Sequence, residues 1–406
     1  MTDSRTSISR RSFLKTSALA GGGLMISFGW ISSFASKPKE ALALSKEWSE
    51  FNGYLKISAD GIVTIMSPNP EGGQNVKTSM PMIVAEELDI DWNDVTVEQA
   101  SLNTELFTRQ FIGGSQAIRQ GWKNLRMAGA TARLMLCQAA ADAWNVPLEE
   151  ITTEQGSLHH KKSGKSANYG SMASAAAKVA VPKDVKLKEK KDFKIIGTSR
   201  KNVDGLKIIT GKPLFGMDIK RDGMLIAMIV HPPAFGMKLK SVNGSAAKAM
   251  PGIKDVFPIK IFNDDYERQF FDTITFPEVV AIVGNTTWEV MNAKKAIKIE
   301  WEPISDQTVK RSAFDRSETI TIPAGLESTT VHLDKLAAMM KKPANIARKD
   351  GNPEEIFNTA ARIIEHTYTA PFLAHNCMEP MNFFAHITAD KAELAGPLQK
   401  PEITEK

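Results

Sequence analysis

The hydrophobic pattern of residues 48–180 changes from alternation to helical spacing and back. Residues 54–58 and 62–65 alternate around Asp60 and Gly61, which predicts a β-hairpin with an Asp-Gly turn. Two stretches with helical spacing and a short strand between them follow, at residues 77–88, 95–98 and 116–144. Strands and helices in this order predict an α+β arrangement, with a helix packed on a sheet.

Beyond residue 180 the chain divides into four parts: 181–194, 195–302, 303–346 and 347–406. The first is a lysine-rich, solvated linker, because its charges alternate with Asp and Glu; it lacks the aromatics of a nucleic-acid surface. The second predicts a compact α/β unit, the third an irregular polar connection and the fourth the start of another lobe. The predicted elements are strands at 225–230, 279–283 and 296–301, helices at 287–294, 333–340 and 353–360, a strand at 362–369, a loop at 375–382 and a strand pair to 394.

The N-terminus has the layout of an export signal. Arg10 and Arg11 precede an apolar run at residues 18–34, and Ala41 and Ala43 offer a cleavage site. Paired arginines before such a run select the twin-arginine route. Residues 1–43 are therefore expected to be a targeting signal that an export receptor recognises, and not part of the fold. The protein is expected to be periplasmic. The alternative is a retained membrane anchor, although roughly 17 apolar residues are marginal for spanning a bilayer.

Composition changes this picture in one respect. The chain has 406 residues, 42% hydrophobic and 24% charged, with a net charge of +5, which is an ordinary globular balance for two or three domains. Its 2 cysteines, Cys137 and Cys377, are too few for an iron–sulfur cluster that needs four. Electrons from a redox reaction would have to pass to another chain. A disulfide between the two cysteines stays open.

Two glycine turns precede the two predicted helices of the first segment. One contains Gly73 and Gln74, and the other contains Gly113, Gly114 and Ser115, with the serine as a candidate N-cap. Glycines let a backbone approach a ligand closely, and helix N-terminal amides attract anions. Each turn alone is equally a plain connection, but the pair predicts a shared phosphate-bearing ligand. No Walker lysine or G-x-G-x-x-G fingerprint supports an ordinary nucleotide site.

A third motif lies at residues 375–382. His375, Cys377 and Glu379 alternate as metal ligands can. No second cluster in the sequence completes such a site, so we favour the wall of a pocket.

Taken together, these strings resemble the large, molybdopterin-binding subunit of the xanthine dehydrogenase family, in the branch of isoquinoline 1-oxidoreductase and related aldehyde dehydrogenases. The resemblance covers nearly the whole mature chain. The strings that carry it are Glu71-Gly72-Gly73-Gln74, Ala85-Glu86-Glu87-Leu88, Gly113-Gly114-Ser115, Arg126-Met127-Ala128-Gly129-Ala130, Thr210-Gly211-Lys212, Met224-Leu225, Met250-Pro251-Gly252 and residues 375–382. The resemblance implies a molybdopterin-binding domain with an inserted α/β hammerhead-like domain and an incomplete second cofactor-binding lobe.

The resemblance also implies a chemistry. Such enzymes insert a water-derived oxygen into a C–H bond of an aldehyde or N-heterocycle, using molybdenum held by a pterin dithiolene. Gly73, Gln74 and the turn from Gly113 to Ser115 match cofactor-binding positions, for molybdopterin or its cytosine dinucleotide form. Gln399 matches the glutamine beside the apical oxygen of the molybdenum. A small 2Fe–2S subunit and a downstream acceptor such as a cytochrome are the implied electron partners.

The sequence departs from the family by lacking its late catalytic glutamate and its Gly-Gly-x-Phe-Gly loop. None of the glutamates present is expected to take the catalytic role, and the C-terminal remainder of the large subunit is an expected partner. The chain is then a fragment, a truncated frame or one half of a split subunit. The alternatives are a non-catalytic binding or assembly protein that retains the fold, and a periplasmic solute-binding protein.

Overall fold

The computed structural model describes residues 23–26, 53–107, 109–263, 266–269, 276–313, 316–326 and 328–404. Two compact units form, one from Met1–Ile219 with Asn376–Lys406 and the other from Lys220–His375. The paired arginines and the candidate cleavage sites lie outside the described residues. No helix in the described ranges is long and apolar enough to cross a membrane.

A four-stranded sheet forms the base of the first unit. Its strands are β1 (Gly23–Ile26), β2 (Leu55–Ser58), β3 (Val63–Ser67) and β4 (Val95–Gln99), in that spatial order. The predicted hairpin is confirmed, since β2 and β3 pair antiparallel across Gly61, whose φ of +96° suits glycine. Strands β3 and β4 pair in parallel, because the chain between them crosses the sheet as a helix.

Strand β1 comes from the apolar run of the predicted leader. It pairs antiparallel with β2, so that Gly23 faces Ser58 and Ile26 faces Leu55. Four residues of the expected targeting signal therefore form an edge strand of the fold. An unpaired strand edge offers a row of backbone donors and acceptors to which an apolar segment can add.

Two helices cover this sheet: α1 (Val76–Leu88) and α2 (Ala117–Trp144). Helix α1 is buried along most of its length between the sheet and α2, while α2 buries one face and exposes the other. The helices meet where α2 carries Gly129, since a Cβ there would lie 2.2 Å from the carbonyl oxygen of Val84. The two helices and the strand predicted at 95–98 are confirmed within two residues at each end.

Smaller elements complete the first unit. A three-stranded antiparallel sheet and the helix after it escaped prediction, at Ile151–Glu154, Ser157–His160, Lys165–Asn168 and Tyr169–Ala176. The others are the helices Gly205–Ile209 and Pro401–Thr404 and the predicted strand pair, Phe384–Ile387 with Ala392–Ala395. Short 3-10 turns lie at Trp92–Asp94, Leu148–Glu150, Lys190–Asp192 and Gly216–Asp218.

The second unit is also α/β. Its main sheet has the order Ile253–Lys260, Glu278–Gly284, Ile226–Val230, all antiparallel. The remaining strands are Met237–Asn243 with Lys298–Pro303, and Arg268–Gln269 with Gln307–Ala313 and Arg316–Ile322. Its helices are Ser245–Lys248, Thr287–Lys294, Thr329–Met340 and Pro353–Thr359.

Three of the sequence expectations need correction here. The connection at 303–346 is not irregular, because Gln307–Ala313 and Arg316–Ile322 form an antiparallel hairpin; polar residues on both faces hid it from a hydrophobic pattern. The strand expected at 362–369 is absent from the described chain, where these residues are exposed and unpaired with any strand. The second unit begins at Lys220 and not at residue 195, since Ile195 is buried in the core of the first unit.

The expectation that the lysine-rich linker is solvated also needs correction, because part of the linker is anchored to the first unit. The side chain of Lys188 is only 9% exposed, and its Nζ lies 3.0 Å from Glu86 Oε1 and 2.8 Å from Asp89 Oδ1. Glu86 Oε2 also accepts the backbone amides of residues 194, 195 and 196 at 2.6–3.0 Å. Lysine spacing alone cannot distinguish a solvated run from one whose members enter a buried acidic cluster.

Candidate functional site

The two glycine turns lie side by side in the first unit. A Cβ at Gly72 would lie 3.0 Å from Ile112 Cδ1, directly before the second turn. Gln399 joins them, because the Ile112 amide donates to the Gln399 carbonyl at 3.0 Å and Gln399 Nε2 donates to the Ile112 carbonyl at 2.9 Å. The structure thus brings the six predicted residues to one place around Ile112: Gly73, Gln74, Gly113, Gly114, Ser115 and Gln399.

The first turn is closed by its own glutamate. The Glu71 carboxylate accepts the amides of Gly73, Asn75 and Lys77 at 2.8–2.9 Å, so it neutralises the start of α1. Gln74 folds back, with Oε1 on the Gly72 amide. The anion-attracting amides expected at this helix are therefore largely occupied by the protein's own carboxylate.

Removing this carboxylate should destabilise the first unit. We expect Glu71→Ala to lower the free energy of unfolding by about 0.5–2 kcal/mol, the usual cost of losing a helix cap. Urea denaturation followed by circular dichroism measures the change. Glu149→Ala, at an exposed glutamate of the same unit, is the matched control; equal losses in both variants would contradict the capping role.

The second turn, in contrast, leaves its backbone amides available to a ligand. Gly114 and Ser115 have φ values of +60° and +54°, and the residue at the N-cap of α2 is Gln116, whose side chain makes no cap hydrogen bond. The expectation that Ser115 caps this helix is wrong. In the described part of the chain, no hydrogen bond joins the amides of Gly113, Gly114 and Ser115 to an acceptor. Donors on a left-handed turn before a helix suit an anionic group.

Polar residues that sequence reasoning missed hold this second turn in place. Asn69 Nδ2 donates to the Phe111 carbonyl at 2.8 Å, and the Gln110 amide donates to Glu402 Oε2 at 2.6 Å. The side chain of Gln110 is buried, and it donates to the carbonyl of Ser101 at 3.0 Å. These residues are far apart in sequence and follow no local pattern, so only the fold reveals them.

The glutamate of the loop at 375–382 has a structural role. Glu379 Oε1 accepts the Met217 amide at 3.3 Å and Asn382 Nδ2 at 2.8 Å. Among the described residues, no group of three or more His, Cys, Asp and Glu side chains could hold a metal ion. Glu379 thus ties two loops together, and the metal-ligand interpretation of this motif finds no geometric support.

Cys137 and Cys377 are not joined by a disulfide. Cys137 is buried in α2, and burial raises the pKa of its thiol to about 11, so it remains protonated and unreactive at neutral pH. Cys377 is exposed. The disulfide that the sequence left open does not form.

A separate cleft lies on the three-stranded sheet. Its volume is about 490 Å³, and its walls include His159, Lys161 and Lys165. The glycine turns do not line it, so we do not assign the candidate site there.

The residues around Ile112 fit a phosphate-bearing organic cofactor. In the described chain, a Cβ added at Gly73 or at Gly113 would meet no atom within 4 Å, so both turns leave space against their backbone. The second turn supplies amide donors, and Gln399 adds a side-chain amide beside it. Space at a glycine backbone, free amides and a nearby carboxamide are what a phosphate and a ring system require.

Comparison with known proteins points the same way. Residues 15–208 match the family model for the molybdopterin cofactor-binding domain. The chain is 27% identical to the beta subunit of isoquinoline 1-oxidoreductase from Brevundimonas diminuta, covering 84% of this chain and 46% of that protein. It is 25% identical to the membrane-bound aldehyde dehydrogenase (pyrroloquinoline-quinone) of Gluconacetobacter polyoxogenes, covering 94% and 46%. A nicotinate dehydrogenase subunit from Pseudomonas putida is 23% identical, over 86% of this chain and 27% of that protein.

The class of protein is therefore one with a molybdopterin cofactor-binding domain. More particularly, the chain is similar to the molybdopterin-binding subunit of the xanthine dehydrogenase family, which confirms the resemblance predicted from the motifs. It spans about half the length of the first two curated relatives and less of the third.

Proposed function

We propose that this chain is part of a periplasmic molybdenum hydroxylase that oxidises an aldehyde or an N-heterocycle with water-derived oxygen. The observation that carries the proposal is the meeting of both glycine turns and Gln399 around Ile112. Both turns lie within residues 15–208, which match the molybdopterin cofactor-binding domain. The names of the relatives, isoquinoline and nicotinate oxidoreductases and an aldehyde dehydrogenase, support the substrate class.

In this proposal the protein holds and orients the cofactor. The bound molybdenum supplies the oxygen-transfer and redox chemistry, and the chain supplies amides, space and position. The amides of Gly113, Gly114 and Ser115 hold an anionic group of the cofactor, either molybdopterin itself or its cytosine dinucleotide form. Gly73 and Gln74 would form the adjoining wall, and Gln399, whose side-chain amide binds the Ile112 carbonyl, would line the site beside the second turn.

The electron partners are part of the proposal. The 2 cysteines of the chain are too few for an iron–sulfur cluster that needs four, so clusters would reside on a small 2Fe–2S subunit, with an acceptor such as a cytochrome downstream. The remainder of the large subunit is the third partner. The paired arginines before an apolar run support export of the assembled complex by the twin-arginine route.

Metal and cofactor analysis of the native complex tests the proposal. The complex is purified from its host, and molybdenum, pterin and pyrroloquinoline quinone are each measured per chain. Molybdenum and pterin near one equivalent, with quinone absent, are expected. Quinone without pterin would replace the cofactor assignment, and pterin without oxidation of any aldehyde or N-heterocycle would favour the non-catalytic alternative.

A substitution at the second turn should separate binding from folding. We expect Gly113→Asp to lower the pterin content of the purified complex about tenfold or more, because a carboxylate there repels an anionic group, and tenfold corresponds to about 1.4 kcal/mol. A side chain at Gly113 meets open space, so thermal unfolding of the chain without cofactor should be unchanged. Gly205→Ala, where a Cβ meets its nearest atom at 3.6 Å, is the control and should retain full pterin.

A further inference from the structure

The cleft on the three-stranded sheet is a second candidate for ligand binding. Its strands are Ile151–Glu154, Ser157–His160 and Lys165–Asn168. The cleft volume of about 490 Å³ lies within the range of small-molecule sites, roughly 300–1,000 Å³. The two glycine turns do not line the cleft, so a ligand there would be distinct from the proposed cofactor.

Three polar side chains stand in one row across this sheet. His159 pairs with Thr152 on one side and with Ser166 on the other, so the three side chains point to the same face. Leu158, directly before His159, is fully buried, so the opposite face packs on the core and the row faces solvent. Within the described residues, no hydrogen bond engages any side chain of the row. Two hydroxyls and an imidazole are therefore available to a ligand.

Lysine side chains make the cleft positive. Lys161, Lys165 and Lys194 line it, against the carboxylate of Glu154. Lys161 is exposed and, in the part of the chain that the structure describes, has no ion pair. Lys194 is 58% exposed, and its Nζ lies 3.5 Å from Asp89 Oδ1. The cleft therefore carries an excess of positive charge, which attracts an anion.

The turn that carries Lys161 has a fixed backbone. His160, directly before it, is 4% exposed, and its Nε2 lies 2.7 Å from Glu150 Oε2 while its Nδ1 lies 2.7 Å from Ser163 Oγ. Gly164 ends the turn with a φ of +68°, and a Cβ there would meet no atom within 4 Å. The turn is thus preformed, and it leaves open space against the backbone of Gly164, which lines the cleft.

We propose that this cleft binds a phosphate group, carried either by a soluble ester or by a phospholipid headgroup. Lysine is a general phosphate-binding residue that acts as a point charge. The side chains of the row supply hydrogen bonds to the phosphate oxygens that the lysines do not contact. A carboxylate has only two oxygens and would leave part of this donor set unpaired. The inference does not depend on the proposed function, because the cleft shares no residue with the cofactor turns.

Equilibrium dialysis of the purified native complex against radiolabelled inorganic phosphate, at constant ionic strength, tests the lysines. Saturable binding is expected, and the double variant Lys161→Ala with Lys165→Ala should weaken it about tenfold or more. The matched control is Lys178→Ala with Lys183→Ala, since both of these lysines are exposed on the same unit and lie outside the cleft lining. The absence of saturable binding, or equal weakening in the two double variants, would overturn the proposal.

A substitution that keeps the charge separates a built site from a merely positive surface. Ser166→Ala removes one hydroxyl of the row and should weaken phosphate binding about tenfold, as the loss of a hydrogen bond to a charged group does. Ser174→Ala, at an exposed serine of the helix that follows, is the control and should bind as tightly as wild type. Thermal unfolding should stay unchanged in all these variants, because the replaced side chains are exposed. Undiminished binding in Ser166→Ala would overturn the site.

Vesicles distinguish the two sources of the phosphate. Co-sedimentation with phosphatidylglycerol vesicles but not with phosphatidylcholine vesicles, lost in the Lys161→Ala, Lys165→Ala variant, would identify a lipid headgroup. Lysine-dependent phosphate binding without sedimentation on either vesicle would identify a soluble ester. Sedimentation that is unchanged in the lysine variant would overturn the headgroup as the source.

Discussion

Glu86→Ala is expected to lower the free energy of unfolding of the chain by about 3–5 kcal/mol, as breaking a buried charge network commonly does. The Glu86 carboxylate is fully buried and binds Lys188 Nζ together with three successive backbone amides. Its removal leaves the nearly buried Lys188 with Asp89 alone and three amides without an acceptor. Chemical denaturation with a linear extrapolation measures the loss.

The pH dependence of this loss has a defined sign. Burial by itself would raise the pKa of Glu86, but the amides of Ile195 and Ile196 and the charge of Lys188 outweigh it, so the pKa lies below its ordinary value of 4.5. Asp89 behaves in the same way through Lys188 and Thr153. A depressed pKa in the folded state gives stability that is present above the unfolded pKa and is lost as pH falls through the folded one. The difference between wild type and Glu86→Ala should therefore be constant near neutral pH and shrink below about pH 4.5.

A surface ion pair provides the control for this experiment. Glu98 pairs with Lys56 at 3.3 Å, and its side chain is 47% exposed. Glu98→Ala should cost no more than about 1 kcal/mol. A loss in Glu86→Ala as small as that in Glu98→Ala would show that the buried network does not stabilise the fold.

Gly129→Ala should destabilise the first unit by about 1–3 kcal/mol, the usual cost of overpacking a core. An added methyl group would lie 2.2 Å from the Val84 carbonyl oxygen and 2.9 Å from Glu87 Cβ, so α1 and α2 must move apart. The effect opposes helix propensity, because alanine by itself favours a helix over glycine by about 1 kcal/mol. Thermal unfolding monitored by circular dichroism measures the shift.

Gly121→Ala, in the same helix, is the matched control. There the nearest atoms are Met80 Cε at 3.1 Å and Leu125 Cδ1 at 3.2 Å, both at the ends of side chains that can rotate away. We expect this variant to be neutral or more stable by up to about 1 kcal/mol. Destabilisation of both variants to the same degree would mean that close helix approach at Gly129 is not the cause.

Glu86 and Gly129 show what two of the sequence motifs shared with the family contribute to the structure. Glu86 and Glu87 belong to one string, and Arg126 and Gly129 belong to another. Arg126 Nε binds Glu87 Oε1 at 2.7 Å, and Gly129 lies against α1. Both strings therefore specify how α1 and α2 pack.

Sequence reasoning succeeded where the pattern was local. The hairpin around Gly61, helices α1 and α2 and three strands of the second unit, at Ile226–Val230, Glu278–Gly284 and Lys298–Pro303, were predicted from their own residues. The two turns were found from their glycines. Their meeting around Ile112 needed the fold, since Gln399 arrives from the far end of the chain.

The failures have three different physical causes: a weak local pattern, a distant partner and an unexpected backbone conformation. The hairpin of Gln307–Ala313 and Arg316–Ile322 carries polar residues on both faces, so its hydrophobic period is weak. The burial of Lys188 depends on acidic residues about 100 positions earlier. Ser115 has the residue type of a cap, yet its positive φ leaves that place to Gln116.

The carboxylate of Glu71 has a consequence for how the complex is assembled. Because it occupies the amides at the start of α1, the first turn reaches its final form without help from any bound molecule. On the proposed function, the cofactor would then meet a first turn that is already formed and would lose little affinity to the ordering of that turn. Insertion of the cofactor at this turn would be a docking event that follows folding.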